Sequence, residues 1–225
     1  MKYNIIIACS KNWFFKERII KKFLRQKNVY LFKNKKDLNL KKLEKINPKY
    51  IFFPHWSYKV EDNILKKFKC ICFHTAPLPF GRGGSPIQNQ IKLGFKRTKV
   101  CALKMEKILD AGPIYLTEKI LLNGNLSEIL KRISEKIYIM IKKILKKEPK
   151  LKKQKGKIYN FKRLSQKDNI INFKNNLSSI YDQIRMLDDL SYPNAYIKKG
   201  NCKIEFFNAK IKKNNIYVNA KIFKK

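Results

Sequence analysis

Tyr3-Asn4-Ile5-Ile6-Ile7-Ala8-Cys9 is the stretch whose reading decides the fold. Its centre is apolar and β-branched with no alternation of polar residues, and it stops at Ser10-Lys11-Asn12. A run this short and this uniformly apolar suits a strand covered on both faces, as in a parallel sheet.

Outward from it, strand and helix patterns alternate. Trp13, Phe14, Ile19, Ile20, Phe23 and Leu24 recur at helical spacing, residues 29–32 read as a second strand, and Leu40, Leu43 and Ile46 mark a short helix ended by Asn47-Pro48. Residues 50–53 and 69–73 read as a third and fourth strand, with Ile64, Leu65 and Phe68 on a helix between them. This order predicts an α/β fold, an open and mostly parallel sheet with helices on both faces. Ser85-Pro86 predicts a sharp helix start, with Ser85 capping the free amides and the helix running to Gly94. Residues 100–105 and 113–122 read as strands around Asp110-Ala111-Gly112, and a long amphipathic helix opens at Ser127.

Residues 1–146 are thus expected to form one domain. The remainder, 147–225, reads as a charge-rich linker, a short helix carrying Leu177, Ile180 and Ile184, and a small C-terminal β unit with strands near 194–197, 203–207 and 216–223. After the first strand, Ala8-Cys9-Ser10-Lys11-Asn12 has no glycine, which argues against a dinucleotide-binding loop.

The net charge is +37, carried by 46 Lys and 7 Arg. The lysines run evenly along the chain among Ile and Asn, which reads as compositional drift onto solvated faces more than as a phosphate-reading site, where Arg would concentrate. A nucleic-acid-binding protein on an α/β scaffold stays open as an alternative and would show binding that weakens steeply with salt. No run of 18 apolar residues occurs, and Met1-Lys2-Tyr3-Asn4-Ile5 has no signal-peptide cleavage pattern, so a soluble cytoplasmic protein with no membrane contact is expected. The 5 cysteines lack the spacing of a redox pair or zinc site and are expected reduced, with no metal bound.

Special residues are densest in His74-Thr75-Ala76-Pro77-Leu78-Pro79-Phe80-Gly81-Arg82-Gly83-Gly84-Ser85-Pro86. A histidine at the carboxyl end of a buried strand lies where open α/β sheets bind ligands. The prolines stiffen the loop, and the glycines allow close backbone approach. A Pro/Gly loop with an incidental histidine is the plainer alternative. Asp110, on a turn just before a strand, is the carboxylate that could orient His74 as a proton-handling pair needs, although aspartate at a turn is common for local hydrogen bonding alone.

The run Cys72-Phe73-His74-Thr75-Ala76-Pro77-Leu78-Pro79, with Arg82-Gly83 and Pro86-Ile87-Gln88, closely resembles the signature of the folate-dependent formyltransferases. That group includes enzymes acting on methionyl-tRNA, on glycinamide ribonucleotide and on sugar nucleotides. Leu109-Asp110-Ala111-Gly112-Pro113-Ile114 resembles the family's second signature, and Phe161-Lys162-Arg163, Ile184-Arg185-Met186-Leu187 and Tyr192-Pro193-Asn194-Ala195 resemble its C-terminal region. The resemblance implies transfer of a formyl group from N10-formyltetrahydrofolate to a primary amine, with His74, Asp110 and Cys72 as the catalytic positions. It places folate beside Trp56, Ser57, Tyr58 and Lys59 and beside Lys107, Ile108 and Leu109. Thr75, Pro79, Arg82, Gly83 and Gly84 would face the substrate. It also implies a possible homodimer through C-terminal elements.

Two positions depart from the pattern: Cys72 stands where the family has Asn, and Ala76 where it has Ser. Loss of one oxyanion donor costs about 2.7–4 kcal/mol where it has been tested, and a thiol donates weakly. Asn89, Thr75 and His55 are candidate replacements, and a catalytically impaired relative stays open. As acceptor, the short chain after residue 146 favours a nucleotide-linked amino sugar, for surface polysaccharide, over methionyl-tRNA, because the tRNA enzymes resembled here carry a complete C-terminal barrel.

Overall fold

All five residues of β1 (Ile5–Cys9) are buried. The structure, a computed structural model, describes residues 3–224; Met1, Lys2 and Lys225 lie outside the described residues. The helix expected from Trp13 onward is broken in two: a 3-10 turn over Asn12–Phe15, then α1 (Arg18–Leu24). Trp13 and Phe14 are both buried, and Glu17 adopts extended backbone (ψ 135°), which stops the turn from running on into the helix. There follow β2 (Val29–Phe32), α2 (Leu40–Ile46), β3 (Tyr50–His55), α3 (Asp62–Lys67) and β4 (Cys70–His74). Asn39 caps α2 by accepting the Lys42 N–H at 3.0 Å, and Asn47 ends it in the left-handed conformation (φ 47°) before Pro48.

The chain continues through β5 (Phe80–Gly83), α4 (Pro86–Lys92), β6 (Arg97–Lys104), β7 (Ile114–Leu121), α5 (Leu126–Lys147) and β8 (Tyr159–Phe161). It closes with α6 (Leu177–Arg185), β9 (Ala195–Lys199), β10 (Cys202–Lys212) and β11 (Asn215–Lys224). The six-stranded sheet has the order β2-β1-β3-β4-β6-β7. β1 runs parallel to β2 and β3, and β3 parallel to β4, while β4 and β6 are antiparallel, so the sheet is mostly but not wholly parallel. Pairing of β1 with β3 slips between Ile7↔Phe52 and Cys9↔His55. Pro54 falls in the slipped step; it has no N–H to give the ladder, and a strand accommodates such a residue with a bulge.

The chain separates into two compact units. One runs up to Arg82 and takes in Thr98–Ile120 and Leu130–Asn160. Its core joins Ile6, Ala8, Ile51 and Phe53 of the sheet with Leu43 of α2 and Ile64 of α3. The other takes in Gly83–Arg97, Leu121–Ile129 and the chain from Phe161 onward, and contains the antiparallel sheet β11-β10-β9. In this second unit the Arg185 guanidinium, buried, pairs with Asp182 at 2.6 Å and donates to the carbonyls of Leu122 (2.6 Å) and Gly124 (2.8 Å). Ser85 does not cap α4 as expected. Its backbone is left-handed (φ 47°), which turns the hydroxyl away from the helix amides, and Oγ accepts from the Leu164 N–H at 3.1 Å instead.

Candidate active site

Parallel pairing brings the carboxyl ends of β1, β3 and β4 to one edge of the sheet, where open α/β folds place ligands. His74 is the last residue of β4 and is buried. Its Nε2 lies 2.6 Å from the Gly81 carbonyl, and its Nδ1 lies 3.4 Å from Oδ2 of Asp110. A carbonyl only accepts, so Nε2 carries the hydrogen and donates to Gly81. Nδ1 then faces the carboxylate.

Asp110 reaches His74 from a tight turn. Its own backbone is left-handed (φ 52°), a conformation aspartate tolerates better than most residues. Two residues on, Gly112 packs so close to β6 that an added Cβ would lie 1.8 Å from the Lys104 carbonyl. Only glycine fits there, and this contact sets how deeply the turn sits.

Cys72, two residues before His74, projects from the same face of β4. It packs against Leu78, Cys101 and Leu103. Burial, and then the negative charge of Asp110, push its thiol well above the ordinary range. The side chain is therefore a protonated thiol, a weak donor and a poor nucleophile. The replacements named from sequence lie in different surroundings. The Asn89 amide, in the second unit, is spent on the carbonyls of Gly84 (3.1 Å), Ser85 (3.0 Å) and Lys162 (2.9 Å). Thr75 is buried beside His74 in sequence, and His55 lies edge-on to Trp13.

Gln154 belongs to the same cluster, and sequence reasoning missed it. Its Oε1 accepts from Nε (3.1 Å) and Nη2 (2.8 Å) of Arg82, and its Nε2 donates to the carbonyls of Asp110 (2.8 Å) and Gly112 (2.9 Å). The stretch around it, Lys152-Lys153-Gln154-Lys155, reads as solvated lysine. Only the pairing of Lys152 with Ile114 (2.8 and 2.9 Å) lays it alongside the start of β7, and no local pattern announces that.

The remaining expected residues lie as follows. Pro79 accepts from the Tyr159 N–H at 3.4 Å. Gly83 and Gly84, in the second unit, are faced by the Phe161 carbonyl and by Arg163 respectively. Trp56 packs on Phe53 and Tyr58, and its indole N–H is buried with no hydrogen-bond partner among the described residues. Ser57 bonds to Ser10 (Oγ–Oγ 3.0 Å), and Tyr58 and Lys59 are exposed. Ile108 and Leu109 are each 70% exposed, an unusual cost for two adjacent apolar side chains. Trp56 and Met105, which precedes the Lys107-Ile108-Leu109 segment by two residues, pack on one core cluster. A cleft of about 570 Å³ touches Lys107 but none of His74, Asp110 or Cys72. Among the described residues no group of three or more His, Cys, Asp or Glu could hold a metal, and no helix is long and apolar enough to cross a membrane.

Residues 166–223 match the family model for the methionyl-tRNA formyltransferase C-terminal domain. A methionyl-tRNA formyltransferase of Malacoplasma penetrans is 29% identical over 200 residues, 84% of this chain and 62% of that one. The chain spans 62%, 50% and 48% of three such curated relatives. A solved methionyl-tRNA formyltransferase from Clostridium thermocellum is 40% identical, with TM-score 0.93, over 99% of this chain and 100% of that one. A sugar N-formyltransferase from a Shewanella species, 15% identical with TM-score 0.66 over 88% and 94% of the two chains, shares the fold alone.

These matches overturn the amino-sugar acceptor, the polysaccharide role drawn from it and the low rank given to tRNA. The length argument took a complete barrel as the mark of the tRNA enzymes, yet a solved chain matched over its whole extent by this one is such an enzyme. The short segment holding β9, β10 and β11 is itself what the C-terminal family model matches. With both motifs converging on His74 and Asp110, and 40% identity along the whole of both chains, the protein belongs to the folate-dependent formyltransferase family.

Proposed function

We propose that this chain transfers the formyl group of N10-formyltetrahydrofolate to the amino group of methionyl-tRNA, in the cytoplasm. The observation that carries the acceptor is the end-to-end 40% identity with the Clostridium thermocellum methionyl-tRNA formyltransferase. The net charge of +37 suits a polyanionic acceptor, although it is spread too evenly to mark one surface.

The chemistry asks for little more than the pair already described. The amine nitrogen attacks the formyl carbon, the bond from that carbon to N10 breaks, and the proton leaving the amine ends on N10. Nε2–H of His74, held toward the Gly81 carbonyl at 2.6 Å, is the donor that the formyl oxygen competes for as it gains charge. Asp110 sits behind the ring to take and return the proton. Cys72 adds at most a weak donor. Trp56, Ser57, Tyr58 and Lys59 on one side, with Ile108 and Leu109 on the other, take the folate; the orphaned Trp56 N–H and the exposed Ile108 and Leu109 fit a flat ring system with polar edges. On this reading residues 1–146 carry the chemistry and Gln154 is contributed from beyond them.

The test is a formyl-transfer assay with N10-formyltetrahydrofolate and charged methionyl-tRNA. Donor-dependent appearance of formylmethionyl-tRNA is expected, with uncharged tRNA giving no product. No product from folded protein at saturating donor would overturn the reading.

A further inference from the structure

We propose that Gln154 is a positioning residue for formyl transfer, because its amide closes a ring that fixes both flanks of His74. The proposal rests on the formyl-transfer reading above and assigns that site a residue outside both motifs. The ring can be walked atom by atom. Nε2 of His74 meets the Gly81 carbonyl at 2.6 Å. Gly81 is joined to Arg82, whose Nε and Nη2 donate to Oε1 of Gln154 at 3.1 and 2.8 Å. Nε2 of Gln154 donates to the Asp110 carbonyl at 2.8 Å, and Oδ2 of Asp110 returns to Nδ1 of His74 at 3.4 Å.

Two features make this more than a clasp on a surface loop. A glutamine amide offers two hydrogens and two lone pairs, and all four are engaged: two hydrogens on Asp110 and Gly112, two lone pairs on Arg82. Turning the amide over would press its oxygen on two carbonyls and its NH₂ on a guanidinium, so the orientation is fixed by its partners. Second, Asp110 is held at φ 52°, which a non-glycine residue rarely takes. Gly112 sets the depth of that turn against β6, and Gln154 sets its swing by gripping the carbonyls at both 110 and 112. Without Gln154 the carboxylate and the Gly81–Arg82 strand can drift apart, and His74 loses its orientation from both sides at once.

Two variants and two readouts decide the matter. Gln154→Ala removes the whole bridge. Gln154→Glu keeps an oxygen for Arg82 but replaces the amide donor with an acceptor facing two carbonyls. Both are expected to lower kcat roughly 10- to 100-fold, the size of effect a misplaced catalytic geometry produces, with KM for the donor within about threefold. The chain has only 2 histidines, His55 and His74, so ¹⁵N spectra of the imidazoles give a direct second reading. The His74 ring signals should move in both variants while those of His55 stay in place. Wild-type kcat in Gln154→Glu would reduce the residue to a partner of Arg82, and unmoved His74 signals in both variants would overturn the proposal. If wild-type protein makes no formylated product, the functional reading fails, yet the His74 spectra still decide whether Gln154 positions the ring.

Discussion

Nδ1 of His74 stands 3.4 Å from Oδ2 of Asp110, while the opposite nitrogen of the same ring stands 2.6 Å from the Gly81 carbonyl. The two contacts are unequal. The carbonyl contact is as short as such bonds become, and the carboxylate contact exceeds the usual 2.7–2.9 Å or so of a charge-assisted pair. The ring is therefore anchored by the loop after β4 and approached by the aspartate. A small shift of the Asp110 turn would change how firmly the pair is joined.

Asp110→Asn keeps the size of the side chain and removes its charge and its ability to take a proton. A fall in kcat of about 10²–10⁴-fold is expected, the usual contribution of a proton-transfer partner. Thermal stability should change little, because the carboxylate is one contact among several holding the turn. His74→Asn should lose at least as much. Steady-state kinetics decide it: wild-type kcat in either variant removes that residue from the mechanism.

Cys72→Asn tests the departure from the family pattern. The thiol sits among Leu78, Cys101 and Leu103 and stays protonated. An asparagine amide would instead offer a real donor on the face of β4 that carries His74. Activity equal to or above wild type is expected, with donor KM unchanged. A tenfold or greater loss in a folded variant would assign the thiol a role of its own.

Gly112→Ala places a methyl carbon where the Lys104 carbonyl already is, at 1.8 Å. The turn must lift from β6, carrying Asp110 with it. Both stability and kcat should fall, with kcat down by roughly 10²-fold, as for a misplacement of about 1 Å. An alanine variant with wild-type kcat would show that the turn tolerates displacement and that the depth of Asp110 is not set by this contact.

How much of this was legible in the sequence depends on whether the signal is local. The uniform apolar run Ile5-Ile6-Ile7-Ala8-Cys9 declares a strand covered on both faces, and β1, β2, β3 and β4 fall close to where their composition puts them. His74 and Asp110 could be paired only through the resemblance of their two motifs to the formyltransferase signatures; spacing alone leaves the pairing open. Ser85 misled because Ser-Pro is an ordinary helix start, and nothing nearby in the chain reveals that its backbone is left-handed with Leu164 waiting for its hydroxyl. Gln154 was invisible for the same reason in stronger form: its four hydrogen bonds go to three residues at positions 82, 110 and 112, and its neighbours are lysines. The acceptor was misjudged because chain length was made to speak for substrate.

The buried thiols make stability depend on alkaline pH. Burial pushes Cys9 and Cys70 from 9.0 up to about 12 and Cys101 to about 11, and Cys72 is raised further still. In the unfolded chain these groups ionise near 9; in the folded chain they keep their protons. Below pH 9 the two states bind the same number and the thiols have no effect. Above it the unfolded state binds fewer, so stability falls as pH rises, and each group's contribution is lost progressively up to its folded value. The slope is at most about 1.4 kcal/mol per pH unit for each thiol. Urea unfolding under reducing conditions should therefore show level stability from pH 7.5 to 8.5 and a steep fall from 9 to 11. In Cys9→Ala that fall should be shallower by up to one proton. Parallel slopes for the two proteins between pH 9 and 11 would mean that Cys9 ionises as easily folded as unfolded, and that its burial in β1 is incomplete in solution.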